Sequence, residues 1–122
     1  MLDDRSVKCW GWNHRGQLGY GDTWVRTATI VYGDNRPEET KGTLPAVALG
    51  TGRTAVSIAA GYDYTCALLD DRSVKCWGRN GEGQGGNFNG QLGYGDDIDR
   101  GDDAGEMGDA LPAVSLGTGR TA

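Results

Sequence analysis

Residues Val56-Ser57-Ile58-Ala59-Ala60 alternate larger apolar with small side chains and stop at Gly61, which predicts a strand over 56–60. Tyr64–Leu69 has the same period of two and predicts a second strand. Asp70-Asp71-Arg72 is a tight turn, because short acidic side chains bond neighbouring amides. Ser73–Trp77 then predicts a third strand, ended by Gly78. Pro112–Leu116 predicts a short fourth, and its leading proline suits a sheet edge. Earlier in the chain only counterparts of the third strand (Val7–Trp10) and the fourth (Pro45–Leu49) are found. No apolar run approaches the roughly 18 residues of a membrane span.

These elements recur because the sequence repeats itself. LDDRSVKCWG stands at 2–11 and again, unchanged, at 69–78. GQLGYGD stands at 16–22 and 90–96, and LPAVALGTGRTA at 44–55 returns at 111–122 with Ala48 replaced by Ser115. The outer blocks are displaced by 67 positions and the middle one by 74, so length changes fall in the connections, as expected of loops. The segment VSIAAGYDYTCA, residues 56–67, occurs once. The chain therefore reads as a partial repeat over 1–55 and a complete one over 56–122. The expectation is a piece of a longer array, or a unit that another chain completes.

Composition supports a turn-rich β protein. Glycine supplies 22 of 122 residues, far above the roughly 7% of ordinary proteins. It has no period of three, which excludes collagen, and four Trp and five Tyr argue against disorder. The acidic start Met1-Leu2-Asp3-Asp4-Arg5 does not read as a signal peptide. The net charge of −5 is localised. Residues 96–109 hold seven acids against the single base Arg100, so the rest of the chain is almost neutral. Without a basic cluster, nucleic acid is not an expected partner.

The run Val56-Ser57-Ile58-Ala59-Ala60-Gly61, Thr65-Cys66-Ala67-Leu68, Cys76-Trp77-Gly78, Asn80 and Gly90-Gln91-Leu92-Gly93 resembles the regulator-of-chromosome-condensation repeat, in a cysteine-bearing version. The resemblance covers nearly the whole chain. It implies a β-propeller built from four-stranded antiparallel blades, seven in a closed ring. About two blades are present, so this chain is an incomplete propeller. Its period exceeds the family's usual repeat, and the excess lies in the loop between the third and fourth strands.

Counting inward around the turn at 70–72 places Cys66 opposite Cys76, within disulfide reach if the pair is not hydrogen-bonded. The alternative is two buried thiols. Cys9 is the counterpart of Cys76 and is expected to be unpaired or joined to another chain. There is no C-x-x-C and His14 is alone, so a zinc site is not expected and His14 reads as a solvent-facing loop residue.

Asp96, Asp97, Asp99, Asp102 and Asp103 offer oxygen ligands suited to calcium, without an EF-hand's spacing; the plainer reading is a solvated acidic loop. The first copy keeps less acid (Asp22, Asp34, Glu38, Glu39), and Thr23–Tyr32 suggests an extra strand. Arg100-Gly101-Asp102 spells an integrin-type tripeptide that arises often by chance. GQLGYGD lacks the lysine and hydroxyl of a phosphate loop, so its glycines read as corner residues.

Trp10 and Trp77 are equivalent and are expected to pack between blades. Trp12, Trp24, Tyr62 and Phe88 are unrepeated, which makes them candidates for a recognition surface or for local loop packing. No nucleophile–base pair emerges, so no enzyme activity is expected. The reading is a non-catalytic structural or protein-interaction module without a cofactor, calcium aside. Its expected partners are copies of itself or subunits of a larger assembly. Two alternatives come from other classes: a regulator of a small GTPase, by family resemblance, and a calcium- or glycan-binding extracellular module. Paired cysteines favour an oxidising compartment, extracellular or an organelle lumen.

Overall fold

The computed structural model describes residues 1–26, 44–81 and 90–122. Among these the regular elements are three strands, β1 (Ala55–Ala60), β2 (Tyr64–Leu69) and β3 (Val74–Gly78), and one short 3₁₀ turn at Gly108–Ala110. The strands form one antiparallel sheet in the order β1-β2-β3. The register between β2 and β3 pairs Leu68 with Val74, Ala67 with Lys75 and Cys66 with Cys76, as counting around the turn predicts.

That turn is a three-residue loop. The Leu69 amide donates to the Ser73 carbonyl at 2.9 Å and the Arg72 amide to the Leu69 carbonyl at 3.0 Å. Such loops place their last residue in the left-handed region, where glycine is favoured. Here an arginine occupies it: Arg72 has φ 67° and its copy Arg5 has φ 63°. An L-residue in that conformation costs roughly 1–2 kcal/mol. Arg72→Gly is therefore expected to stabilise the chain by about 1 kcal/mol, read as a higher urea midpoint. An unchanged or lower midpoint would show that the arginine side chain offsets its backbone strain.

The expected fourth strand is not a ladder. Neither Pro112–Leu116 nor Pro45–Leu49 is a strand, nor is Val7–Trp10. The outer edge of β3 is instead covered by separate contacts at alternate residues. The Arg72 carbonyl accepts from the Ala122 amide at 3.1 Å and the Val74 carbonyl from the Val114 amide at 2.7 Å. Cys76 donates its amide to the Tyr94 hydroxyl at 2.9 Å, and that hydroxyl donates back to the Cys76 carbonyl at 2.9 Å. Gly78 and Arg100 exchange both backbone bonds, at 2.7 and 3.0 Å. Three chain segments share the edge, and each satisfies only the groups it reaches. The first repeat does the same with Ala55 on Arg5, Val47 on Val7, Tyr20 on Cys9 and Arg26 on Gly11. Arg26 lies inside the extra strand expected at Thr23–Tyr32. Its exchange with Gly11 is an isolated bridge, and residues from 27 onward, with Asp34, Glu38 and Glu39, lie outside the described residues.

The core sits between the two repeats. Val7, Val47 and Leu49 from the first meet Ala67, Leu69, Trp77 and Leu111 from the second in one buried cluster. Trp77 is wholly buried. Its indole N–H donates to the Gln17 carbonyl at 3.1 Å, and the Thr65 hydroxyl donates to the same oxygen at 2.9 Å. The first repeat's Gly-Gln-Leu-Gly loop thus lies against the second repeat's tryptophan. Gly19 is needed there: its φ is +76°, and a Cβ would come within 2.7 Å of the Trp77 indole nitrogen. Trp10 departs from the expected packing between blades, being half exposed. β1 forms where the alternation places a strand, but its apolar residues are not core: Val56 is exposed and Ile58 only partly buried.

Candidate protein-interaction groove

The loops that frame the site are held by a polar clasp present twice. The Asn80 side-chain amide donates to the Asp96 carbonyl at 2.8 Å and its carboxylate at 3.0 Å, while the Leu92 amide donates to the Asn80 side-chain oxygen at 3.0 Å. Arg100 bonds the Asp96 carboxylate at 2.7 Å and lies over the Tyr94 ring at 5.5 Å. The first repeat copies this with Asn13 on Asp22 at 2.8 Å and Arg26 on Asp22 at 2.7 Å. There Arg26 lies 5.1 Å over Tyr20. Asn13 and Asn80 are fully buried. A buried amide with its groups satisfied fixes a loop that has no regular structure of its own.

This clasp accounts for much of the acidic segment. Burial alone would raise the Asp96 carboxyl, but the Ile98 amide, Arg100 and Asn80 outweigh it and hold the group below the usual carboxylate range. Asp99 accepts from the Asn80 and Gly81 amides at 2.7 and 2.8 Å and faces Arg15 at 3.4 Å. Asp102 is shifted upward by burial and by the neighbouring Glu106 carboxylate. Asp97 and Asp103 are exposed. Among the described residues no group of three or more His, Cys, Asp or Glu is gathered as a metal ion requires, so the arrangement adds no support to the calcium expectation.

Between the first repeat and the sheet lies a groove of about 710 Å³. Its lining includes Cys9, Trp10, Trp12 and His14 of the first repeat and Ile58 and Tyr62 of the second. Trp12 is 66% exposed and Tyr62 95%. Trp12 and His14 meet edge to face with ring centroids 5.6 Å apart. Asp63, also at the groove, is buried but not isolated. It accepts from the Gln17 side-chain amide at 3.3 Å and faces Arg79 at 3.5 Å and His14 at 3.8 Å. Such a carboxylate is structural, since its charge is already answered. Burial pushes the Cys9 thiol pKa up, which keeps it protonated and a poor nucleophile near neutrality.

Of the expected recognition residues, Trp12 and Tyr62 come together here. Trp24 is half exposed and lies outside this groove, and Phe88 falls outside the described residues. Trp10, His14 and Asp63 join the site without having been singled out for it. His14 is an exposed loop residue, as expected, and its ring also approaches Asp63 at 3.8 Å. Trp10 carried a misleading signal: being repeated, it reads as core. Cys66 and Cys76 form the expected disulfide across β2 and β3, with Cα atoms 4.1 Å apart, and Cys9 is a free thiol.

Comparison with known proteins adds family evidence. The model of the Regulator of chromosome condensation (RCC1) repeat matches residues 6–68, and a second RCC1 repeat model matches residues 55–84. The Ultraviolet-B receptor UVR8 of Arabidopsis thaliana is 27% identical over 100 residues, which covers 82% of this chain and 18% of that protein. The chain thus spans under a fifth of this curated relative. Among the described residues no helix is long and apolar enough to cross a membrane.

Proposed function

The chain belongs to the Regulator of chromosome condensation (RCC1) repeat family, and from that premise we propose that it is a non-catalytic protein-interaction module whose recognition surface is the groove beside Trp12 and Tyr62. The observation that carries this reading is the meeting of two large exposed aromatics, 50 positions apart in sequence, on one concave surface. Exposed apolar surface of this kind marks binding sites, and Trp and Tyr are the residues that most often dominate them. Repeats of this family form propeller blades, and the three-stranded sheet with its composite outer edge is one blade. In this reading further blades come from other copies or from a larger assembly, which covers the exposed face of β1. The Cys66–Cys76 disulfide supports placement in an oxidising compartment.

A peptide library selected against the folded chain tests the reading. Selected peptides are expected to lose at least tenfold in affinity to the Trp12→Ala, Tyr62→Ala double variant, as loss of two aromatic anchors implies. Peptides whose binding ignores both substitutions would place recognition elsewhere and overturn it.

A further inference from the structure

The clasp of the second repeat contains a chemically fragile pair, because Asn80 is followed by Gly81. Asparagine is among the heat-labile residues. A glycine after it leaves the attacking backbone nitrogen unshielded by a side chain. The first repeat avoids this, since Asn13 in the same clasp is followed by His14. The second repeat does not. A Cβ at position 81 would lie 2.5 Å from the Asp97 carbonyl oxygen, so the close approach there requires glycine. Asn80 is equally fixed by its bonds to Asp96 and from Leu92. The fold thus demands both members of the pair, and it also restrains both reacting groups. The Asn80 side chain is wholly buried and held by three hydrogen bonds. The Gly81 amide donates to the Asp99 carboxylate at 2.8 Å, and that negative charge disfavours the amide anion that must attack. Asp99 is kept in place by the Asn80 amide at 2.7 Å and by Arg15 at 3.4 Å.

We propose that Asn80 is a self-modification site gated by this clasp, and that its deamidation is a one-way switch that releases the loop. When the clasp opens, the Gly81 backbone nitrogen attacks Cγ of Asn80. The Cγ–Nδ2 bond breaks, and the side-chain nitrogen leaves as ammonia with the proton that Gly81 gives up. Water then opens the five-membered imide at either of its carbonyls, to give aspartate or isoaspartate. One water is consumed and one ammonia released, so no oxidant or second protein is required. Neither product rebuilds the clasp. Where Nδ2 donated to the Asp96 carbonyl and carboxylate, the product presents an oxygen with no proton to give. Isoaspartate also routes the main chain through the former side chain, which moves Gly81 from its place against Asp97. The effect reaches the sheet. Arg100 bonds Asp96 and lies over Tyr94, and the Tyr94 hydroxyl covers the outer edge of β3 at Cys76. This inference does not depend on the groove as a binding surface.

The full chain is aged in mildly alkaline buffer, once folded and once in urea, then digested. Fragment masses assign conversion separately to Asn13, to Asn80 and to Asn89, which starts a second Asn-Gly pair and lies outside the described residues. In urea Asn80 is expected to convert at least tenfold faster than Asn13. Folding is expected to slow Asn80 by roughly a hundredfold or more, because reaction then waits on local opening. Asp99→Ala is expected to speed Asn80 in the folded chain about tenfold, with faster hydrogen exchange at the Gly81 amide and no equal gain at Asn89. Asn80→Asp makes one product directly. It is expected to speed exchange at the Leu92 amide about tenfold and to leave the Leu69 amide, in the turn between β2 and β3, unchanged. If either variant fails to fold, the parent chain decides: its rates folded and in urea test the gate, and exchange at Leu92 in its converted fraction tests the switch. Equal conversion in the folded and unfolded parent, a folded Asp99→Ala chain no faster than the parent, an equal gain at Asn89, or unchanged Leu92 exchange after conversion would each overturn the proposal.

Discussion

Trp77→Ala is expected to lower stability by about 3–5 kcal/mol, the usual cost of emptying a buried tryptophan site. The side chain is completely buried, it lies in the cluster that joins the two repeats, and its N–H satisfies the Gln17 carbonyl. Truncation would leave a cavity and also loosen the loop that Gly19 brings against the indole. The matched control is Trp10→Ala. Trp10 sits in an identical ten-residue block but is 50% exposed, so its loss is expected to cost about 1 kcal/mol or less. Urea unfolding of the two variants side by side checks this. Equal losses would mean that the interface between the repeats does not hold the fold together.

Removing the Cys66–Cys76 disulfide is expected to cost about 2–3 kcal/mol. The sequence separation is 10, a short loop, so the loss of unfolded-chain entropy is at the lower end of what cross-links supply. The Cys66→Ala, Cys76→Ala double variant, compared with the parent chain in oxidising buffer, isolates the bond from side effects of reductant. Thermal unfolding should show a clear drop in Tm and the same β signal in the folded baseline, since the ladder between β2 and β3 does not depend on the sulfurs. A variant as stable as the parent would show that the cross-link mainly reports the register rather than supporting it.

The loop acids show a boundary between what a sequence reveals and what it hides. As a run, Asp96, Asp97, Asp99, Asp102 and Asp103 look like ligands waiting for a cation. The structure gives Asp96 to Arg100 and Asn80, and Asp99 to two backbone amides and Arg15. The signal existed: Asp22 and Arg26 have the same four-residue spacing as Asp96 and Arg100, and Asn13 matches Asn80. Aligning the copies through the middle block, rather than counting acids, would have exposed the clasp. The expected fourth strand failed for a related reason. Alternation in Pro112–Leu116 is satisfied by one or two edge contacts, and no local pattern says that a tyrosine hydroxyl and a loop arginine will take the remaining positions.

By itself the sequence determined the three strands of the second repeat, the turn between β2 and β3, their register and thereby the disulfide. These depend on side-chain alternation and on a count of a few residues, and both are local quantities. Tertiary structure alone decided which of two identical blocks became core. Trp77 is buried and Cys76 cross-linked because β2 and the Gln17 loop lie against them. Trp10 and Cys9 line a groove because that cover is not supplied by the described chain. Burial depends on what packs against a segment, and two identical segments can receive different neighbours.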